Sequence, residues 1–195
     1  MANILEQFGI KALFHMTHID NLNNILQYGL LAHDNPYQQE DISDCDVNNR
    51  RSRNEPIYYK SIHSYVPFYF NPKNNMLSRR RYLQEDIAIL VFNKDLLYKD
   101  NILFTDANAS TNRANFFNNL KNLNKLNWQC IYTKGYYNDF GDGGNKRMAE
   151  VLIPHKVEID NIIGIITNNK ISQAKIKKLT NDFEIVVDTK KEFYF

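Results

Sequence analysis

Apolar positions fall in short blocks along this chain, and the spacing inside each block selects an element. Gly9–Met16 reads as a short strand. The next block reads as a helix that Asp20 can cap, with Leu22, Ile25 and Leu26 on one face and Gly29 placed to end it. From Ala32 to Tyr58 apolar residues are sparse, and long polar connections of this kind inside a compact domain are often functional. Tyr65–Phe70 alternates as a strand does, and Pro72 can open a helix that brings Met76, Arg79 and Arg80 onto neighbouring turns. Ile87–Phe92 is an apolar run suited to a buried strand, with Ile102–Thr105 a shorter one. Asn112–Leu126 carries Phe116, Leu120 and Leu123 at helical spacing, and Trp128–Thr133 returns to strand. Lys134–Lys146 contains Gly135, Gly141, Gly143 and Gly144 and reads as a loop. Arg147–Ile153 and Ile159–Thr167 are strands again, Ser172–Leu179 a short helix, and Phe183–Val187 a last strand. This mixed order, richer in strand than in helix, predicts an α+β fold. No repeat and no Pro/Gly-rich linker divides the chain, so 1–195 is expected to be one domain.

Composition narrows the class. Hydrophobic residues at 43%, including 12 Phe and 12 Tyr, fill a real core, and charged residues at 24% exclude wholesale disorder. No apolar run approaches the roughly 20 residues of a membrane helix. The opening Met-Ala-Asn-Ile-Leu-Glu-Gln lacks the basic start and apolar stretch of a secretion signal, so the expected location is the cytoplasm, with no membrane attachment. Cys45 and Cys130 match neither a zinc spacing nor a disulfide framework. The 27 Asn and 20 Ile are read as a biased genome composition rather than a functional signal.

A net charge of +2 says nothing about partners, but its distribution does. Arg50, Arg51, Arg53, Arg79, Arg80 and Arg81 are six of the eight arginines, and they share one window with the single acid Glu55. Arginine forks grip phosphates, so the window suits an anionic ligand; a solvated face has the same composition.

Four features can carry chemistry. His15 and Thr17, on one face of a strand, offer an imidazole and a hydroxyl to a ligand, or form an internally satisfied pair. Arg51, in the run Arg50-Arg51-Ser52-Arg53, is placed to close over a pyrophosphate or to lie solvated. Tyr69, within Val66-Pro67-Phe68-Tyr69-Phe70, can project into a cleft and stack on a ring while its neighbours fill the core. Glu150 opens an apolar strand just after the glycine-rich loop, where a carboxylate can hold a sugar hydroxyl and stabilise positive charge on a ribose; a strand-edge pair with Arg147 or another cation is the alternative. No P-loop, GxSxG or HExxH pattern occurs, and His15, His18, His33, His63 and His155 never pair at helical ligand spacing, so no metal is expected.

Taken in order, these features resemble a known family. His-x-Thr followed by a helix ending Asn24-Ile25-Leu26-x-x-Gly29-Leu30-Leu31 resembles the NAD-binding start of ADP-ribosyltransferases. Phe14-His15-Met16-Thr17-His18-Ile19-Asp20-Asn21-Leu22, Tyr65–Phe70, Met76-Leu77, Phe104-Thr105-Asp106, Phe116-Phe117, Asn127-Trp128 and Ala149-Glu150 are similar, in this order, to DarT, the toxin of DarTG toxin–antitoxin systems. The resemblance runs from about Leu13 to Thr167. It implies an ADP-ribosyltransferase fold, a split and mainly antiparallel sheet with peripheral helices and NAD in a central cleft. It also implies transfer of ADP-ribose from NAD to a base of single-stranded DNA, with thymine the expected target and guanine the other possibility. The alternatives are a transferase acting on RNA or protein, and a nucleic-acid-binding relative without activity. By position, His15, Met16, Thr17, Asn24, Leu31 and Arg51 match the NAD-binding residues, with Tyr69 added from its own context. Arg51 and Glu150 match the functional arginine and the catalytic glutamate, and Lys134–Arg147 the substrate-recognising loop. A macrodomain antitoxin of the DarG type is the implied partner. One departure stands out: Thr105-Asp106-Ala107-Asn108 replaces the family's Thr-Asp-Gly-His, so Asn108 keeps a hydrogen-bonding side chain that never becomes charged. Arg51 is a poor base, so orienting NAD or stabilising a deprotonated base is the role its chemistry allows. Arg79–Arg81 then reads as a track for the DNA backbone.

Overall fold

The computed structural model describes residues 4–33, 35–37, 40–42, 45–135 and 137–195. A short helix α1 (Ile4–Gln7) leads into β1 (Leu13–His18) and α2 (Leu22–Tyr28), which ends at β2 (Leu30–Leu31). Helix α3 (Cys45–Arg51), strand β3 (Tyr65–Tyr69) and helix α4 (Asn75–Arg79) follow, then β4 (Ile87–Phe92), β5 (Leu103–Thr105) and β6 (Phe116–Phe117). Helices α5 (Trp128–Tyr132) and α6 (Gly143–Lys146) precede β7 (Glu150–Pro154), β8 (Lys156–Val157) and β9 (Ile162–Thr167); α7 (Lys170–Leu179) and β10 (Val186–Thr189) close the fold.

Eight strands form one sheet in the order β10-β9-β4-β1-β3-β7-β5-β6, antiparallel throughout except for the β9–β10 pair. Strand β4 lies deep in it and is apolar on both faces. Ala88, Leu90 and Phe92 join the larger core with Phe68, Phe104 and Val151, while Ile87 and Ile89 pack with Met16, Tyr69 and Met148. That two-sided burial explains why the strand reads as an unbroken apolar run.

The sheet is split between β1 and β3. These strands pair at Phe14 and Tyr69 alone and then diverge, whereas β3 and β7 stay in register from Tyr65–Pro154 to Tyr69–Glu150. The His15 ring spans the opening by donating from Nδ1 to the Pro67 carbonyl at 2.8 Å. The expected α+β fold with a split, mainly antiparallel sheet is the one observed.

Several local expectations are corrected. The first strand begins at Leu13, since Gly9 adopts φ +69° just after α1. Asp20 lies inside a 3-10 turn, Ile19–Asn21, and the His18 side chain caps it. Asn74, not Pro72, caps α4 by accepting from the Met76 and Leu77 amides. The Ala32–Tyr58 connection contains α3, so Arg51 ends a helix rather than riding a loop. Asn112–Leu126 forms no α-helix; β6 and a 3-10 stretch Leu120–Lys125 replace it. This segment is crowded with asparagines, whose amides compete with the backbone for hydrogen bonds, and Asn119 spends its carbonyl on the Lys121 amide. Trp128–Thr133 is helical because Asn127 caps it through the Cys130 amide; a short apolar run cannot by its periodicity tell helix from strand.

Candidate active site

A cleft of about 270 Å³ opens along the split between β1 and β3. Its lining includes His15, Met16, Thr17, Asn24, Leu31, Arg51 and Tyr69, seven of the eight residues expected from sequence. The eighth, Glu150, is fully buried directly behind Arg51.

Each side chain has a local reason for its place. Gly29 ends α2 at φ +82°, and a Cβ there would stand 3.0 Å from the Val157 carbonyl oxygen and 2.5 Å from Lys156 Cε. Glycine alone permits the turn that sets β2 against β8 and brings Leu31 to the cleft. Asn24 donates to the Tyr37 carbonyl at 2.5 Å, holding the outer rim, where Tyr28 and Tyr37 stack at 4.0 Å. Thr17 accepts from Asn21 Nδ2 at 3.1 Å, and Asn21 also donates to the Glu40 carbonyl. Because a carbonyl only accepts, the His15 bond to Pro67 fixes the proton on Nδ1 and leaves Nε2 as an acceptor. Burial above all, with the nearby Arg51 charge acting the same way against the Pro67 bond, lowers the His15 pKa to about 4, so the ring stays neutral.

Arg51 and Glu150 form the centre. Arg51 Nη1 donates to Glu150 Oε2 at 2.8 Å and to Oε1 at 3.1 Å, and the Ala109 amide donates to Oε1 at 3.0 Å. The Glu150 amide donates to Thr105 Oγ1, which fixes the start of β7 beside β5. Tyr69 stands opposite Glu150 in the β3–β7 register. Burial first, and then the Glu150 charge, push its hydroxyl well above the ordinary tyrosine range, so it stays protonated. Glu150 pairs with Arg51, not Arg147: Arg147 instead donates to the carbonyls of Lys73, Cys130 and Thr133. The arginine track is also revised. Arg79 and Arg80 line the cleft, whereas Arg81 lies over the Phe195 ring at 4.9 Å.

Three further residues reach this centre that sequence reading did not single out. Arg53 donates to the carbonyls of Ala109 and Thr111 and to Asn112 Oδ1, clamping the turn that supplies the Glu150 partner. Its place in the arginine run was the available signal. Ser110 and Thr111 line the cleft, and nothing in their sequence marked them. Among the described residues no three His, Cys, Asp or Glu side chains gather to hold a metal. No described helix is long and apolar enough to cross a membrane. Cys130 is free and buried, while the Cys45 side chain lies outside the described residues.

Comparison with known proteins agrees with this geometry. The family described as "DarT: ssDNA thymidine ADP-ribosyltransferase" matches residues 14–195. The DNA ADP-ribosyl transferase of Thermus sp. (strain 2.9) is 34% identical over 154 residues, covering 72% of this chain and 73% of that protein. The structure of Thermus sp. 2.9 DarT in complex with ADP-ribosylated ssDNA superposes with a TM-score of 0.86 at 29% identity, over 95% of this chain and 97% of that one. The same relative's complex with NAD+ gives 0.83 at 28% identity, over 96% and 98% of the two chains. A fusion of DNA ADP-ribosyl transferase with DNA ADP-ribosyl glycohydrolase from Thermosipho africanus is 27% identical over 192 residues, and this chain, matched over 95% of its length, covers 50% of the fusion. With a family match over residues 14–195 and a fold that superposes along nearly the whole chain, the chain belongs to the DarT family of NAD-dependent DNA ADP-ribosyltransferases.

Proposed function

We propose that this chain transfers ADP-ribose from NAD to thymine in single-stranded DNA, with Glu150 as the catalytic carboxylate and Arg51 beside it. The observation that carries the reading is the Arg51–Glu150 pair, set at the wall of a cleft whose other side is the His15–Thr17 strand. His15 Nε2, Thr17 and Asn24 offer polar groups, and Met16 and Leu31 apolar ones, to a dinucleotide lying along the split. Burial of this polar set in a cleft is the environment in which fixed dipoles act most strongly on developing charge.

The step balances simply. The bond from ribose C1 to the nicotinamide nitrogen breaks, and its electron pair leaves with neutral nicotinamide. A ring nitrogen of the base supplies the pair for the new bond to C1, and the proton on that nitrogen is released. Glu150 stabilises the positive charge that develops on the ribose as the first bond lengthens. To meet the sugar, the carboxylate must be uncovered, so Arg51 turns from Glu150 toward the ligand's negative charge; its guanidinium then stabilises the base as its proton leaves. Single strands suit the reaction because a stacked and paired base must first be extruded.

The reading extends to the setting. The relative in which the transferase is fused to a DNA ADP-ribosyl glycohydrolase supports a DarG-like macrodomain partner that removes the mark, and hence a toxin role. The eight-stranded sheet, built from strands between Leu13 and Thr189, supports a single domain over 1–195, and the proposed place of action is the cytoplasm. The test is mass spectrometry of a mixed single-stranded DNA pool incubated with protein and NAD, with RNA and protein pools in parallel. One ADP-ribose added to thymine is the expected result; addition to guanine corrects the base, and addition only to RNA or protein overturns the reading.

A further inference from the structure

Three buried polar atoms around the Arg51–Glu150 pair have no hydrogen-bond partner among the described residues: Arg51 Nη2, Ser110 Oγ and Thr111 Oγ1. An unsatisfied buried polar atom costs roughly 1–3 kcal/mol, so three of them on residues of one cleft are a feature that ligand contacts would explain. All three residues line the cleft, and Ser110 is only 1% exposed. Their backbone is held firmly. Asn108 Oδ1 accepts from the Ser110 amide at 2.9 Å, and Arg53 grips the carbonyls of Ala109 and Thr111 from below. The turn that carries the two hydroxyls is therefore fixed in place.

Sheet order decides which substrate they face. The dinucleotide-binding strand β1 lies on one side of the split, followed by β3 and then by β7 with Glu150. The turn carrying Ser110 and Thr111 leaves β5, the strand beyond β7. The two hydroxyls thus stand across Glu150 from His15 and Thr17. The Asn108 backbone N–H donates to the Asn145 carbonyl at 3.0 Å, joining this turn to α6 of the glycine-rich loop.

We propose that Ser110 and Thr111, together with Arg51 Nη2, form the acceptor-side subsite that holds the target base by a pyrimidine imide edge. This rests on the DNA-modifying function proposed above. An imide presents two carbonyl oxygens flanking a ring N–H. Two rotatable hydroxyls and one guanidinium N–H supply donors for those oxygens, and they strengthen as the ring nitrogen gives up its proton and charge spreads onto them. The hydroxyls are specificity-determining groups for the base.

The test uses the full chain with Ser110→Ala, Thr111→Val and the double variant. Steady-state modification of a thymine-containing single strand is measured beside the affinity for a non-hydrolysable NAD analogue and thermal unfolding. Removing hydroxyls that bond to nothing leaves the melting temperature unchanged or raised, which separates a ligand role from a structural one. The expected result is at least a tenfold fall in kcat/KM for DNA in each single variant, with analogue affinity within twofold of the parent. DNA kinetics within twofold of the parent, or analogue affinity falling by the same factor as DNA turnover, overturns the assignment. A parent chain that modifies no base overturns both this subsite and the function beneath it; an active parent with unchanged variants overturns the subsite alone.

Discussion

Arg51 Nη1 bonds at 2.8 Å to Glu150, a carboxylate with no exposed surface, although the two residues are 99 positions apart in the chain. One guanidinium nitrogen reaches both carboxylate oxygens, and the Ala109 amide donates to the farther of them, Oε1. The resting site therefore stores its negative group under its positive one. A buried pair of this kind contributes modestly as a pair, but removing one partner leaves the other charge stranded.

Glu150→Ala is accordingly expected to lose DNA modification and also to lose about 3 kcal/mol or more of stability. Glu150→Gln retains an acceptor for the Ala109 amide and should fold better while losing modification by a hundredfold or more. Thermal melts and mass spectrometry on both variants check the pair of outcomes; substantial turnover by the glutamine variant would remove Glu150 from the chemistry.

Acid should act on His15. Its pKa falls from 6.5 to about 4 on folding, chiefly through burial, so between these values the unfolded chain binds a proton that the folded chain refuses. Stability contributed by the neutral ring is full above pH 6.5 and declines as pH drops toward 4, by at most about 1.4 kcal/mol per pH unit. His15→Asn, whose amide can donate where Nδ1 does, should flatten that part of the stability–pH curve. Parallel curves for parent and variant over this window would contradict it.

Arg147 ties three segments together through the carbonyls of Lys73, Cys130 and Thr133, immediately before the strand that carries Glu150. Arg147→Met leaves those acceptors to find other donors, with an expected loss of about 2 kcal/mol. Because the tie anchors the glycine-rich loop rather than β1, KM for DNA should rise more than KM for NAD. Equal changes in the two constants would make Arg147 a general structural residue.

Asn108, where the sequence resemblance led to the expectation of a histidine, lines the cleft and holds the 108–111 turn. Its oxygen accepts from the Ser110 amide, and its nitrogen lies 3.6 Å from Met148 Sδ. Asn108→Ala should cost about 1 kcal/mol and weaken DNA modification by loosening the 108–111 turn. Hydrogen exchange at the Ser110 amide reports the turn directly, and unaltered protection there would refute this account.

Glu55, the lone acid of the arginine window, turned out to serve the fold. Burial alone would raise its pKa, but the amides of Lys60, Tyr58 and Ile57 and the Tyr65 hydroxyl outweigh that and hold it below the usual carboxylate range. Glu55→Gln should therefore lose stability above the normal carboxylate pKa, and the difference from the parent should shrink as pH falls through the lowered one. A gap that is independent of pH would assign the loss to packing.

What could be read from the chain alone was whatever rests on local pattern. The apolar run Ile87–Phe92 suited a buried strand, Gly29 was placed to end a helix, and the ordered motifs from His15 to Glu150 pointed to the family. Local pattern failed where neighbours compete: asparagine side chains broke the expected helix over Asn112–Leu126, and one cap turned Trp128–Tyr132 from strand into helix. Pairing was beyond it altogether. Nothing in the sequence distinguishes Arg51 from Arg147 as the partner of Glu150, or marks Ser110 and Thr111 as facing the same cleft. Those choices follow from strand order, which places β7 between β3 and β5, and from burial, which requires a partner for each charge removed from water: Arg51 for Glu150, backbone carbonyls for Arg147 and backbone amides for Glu55.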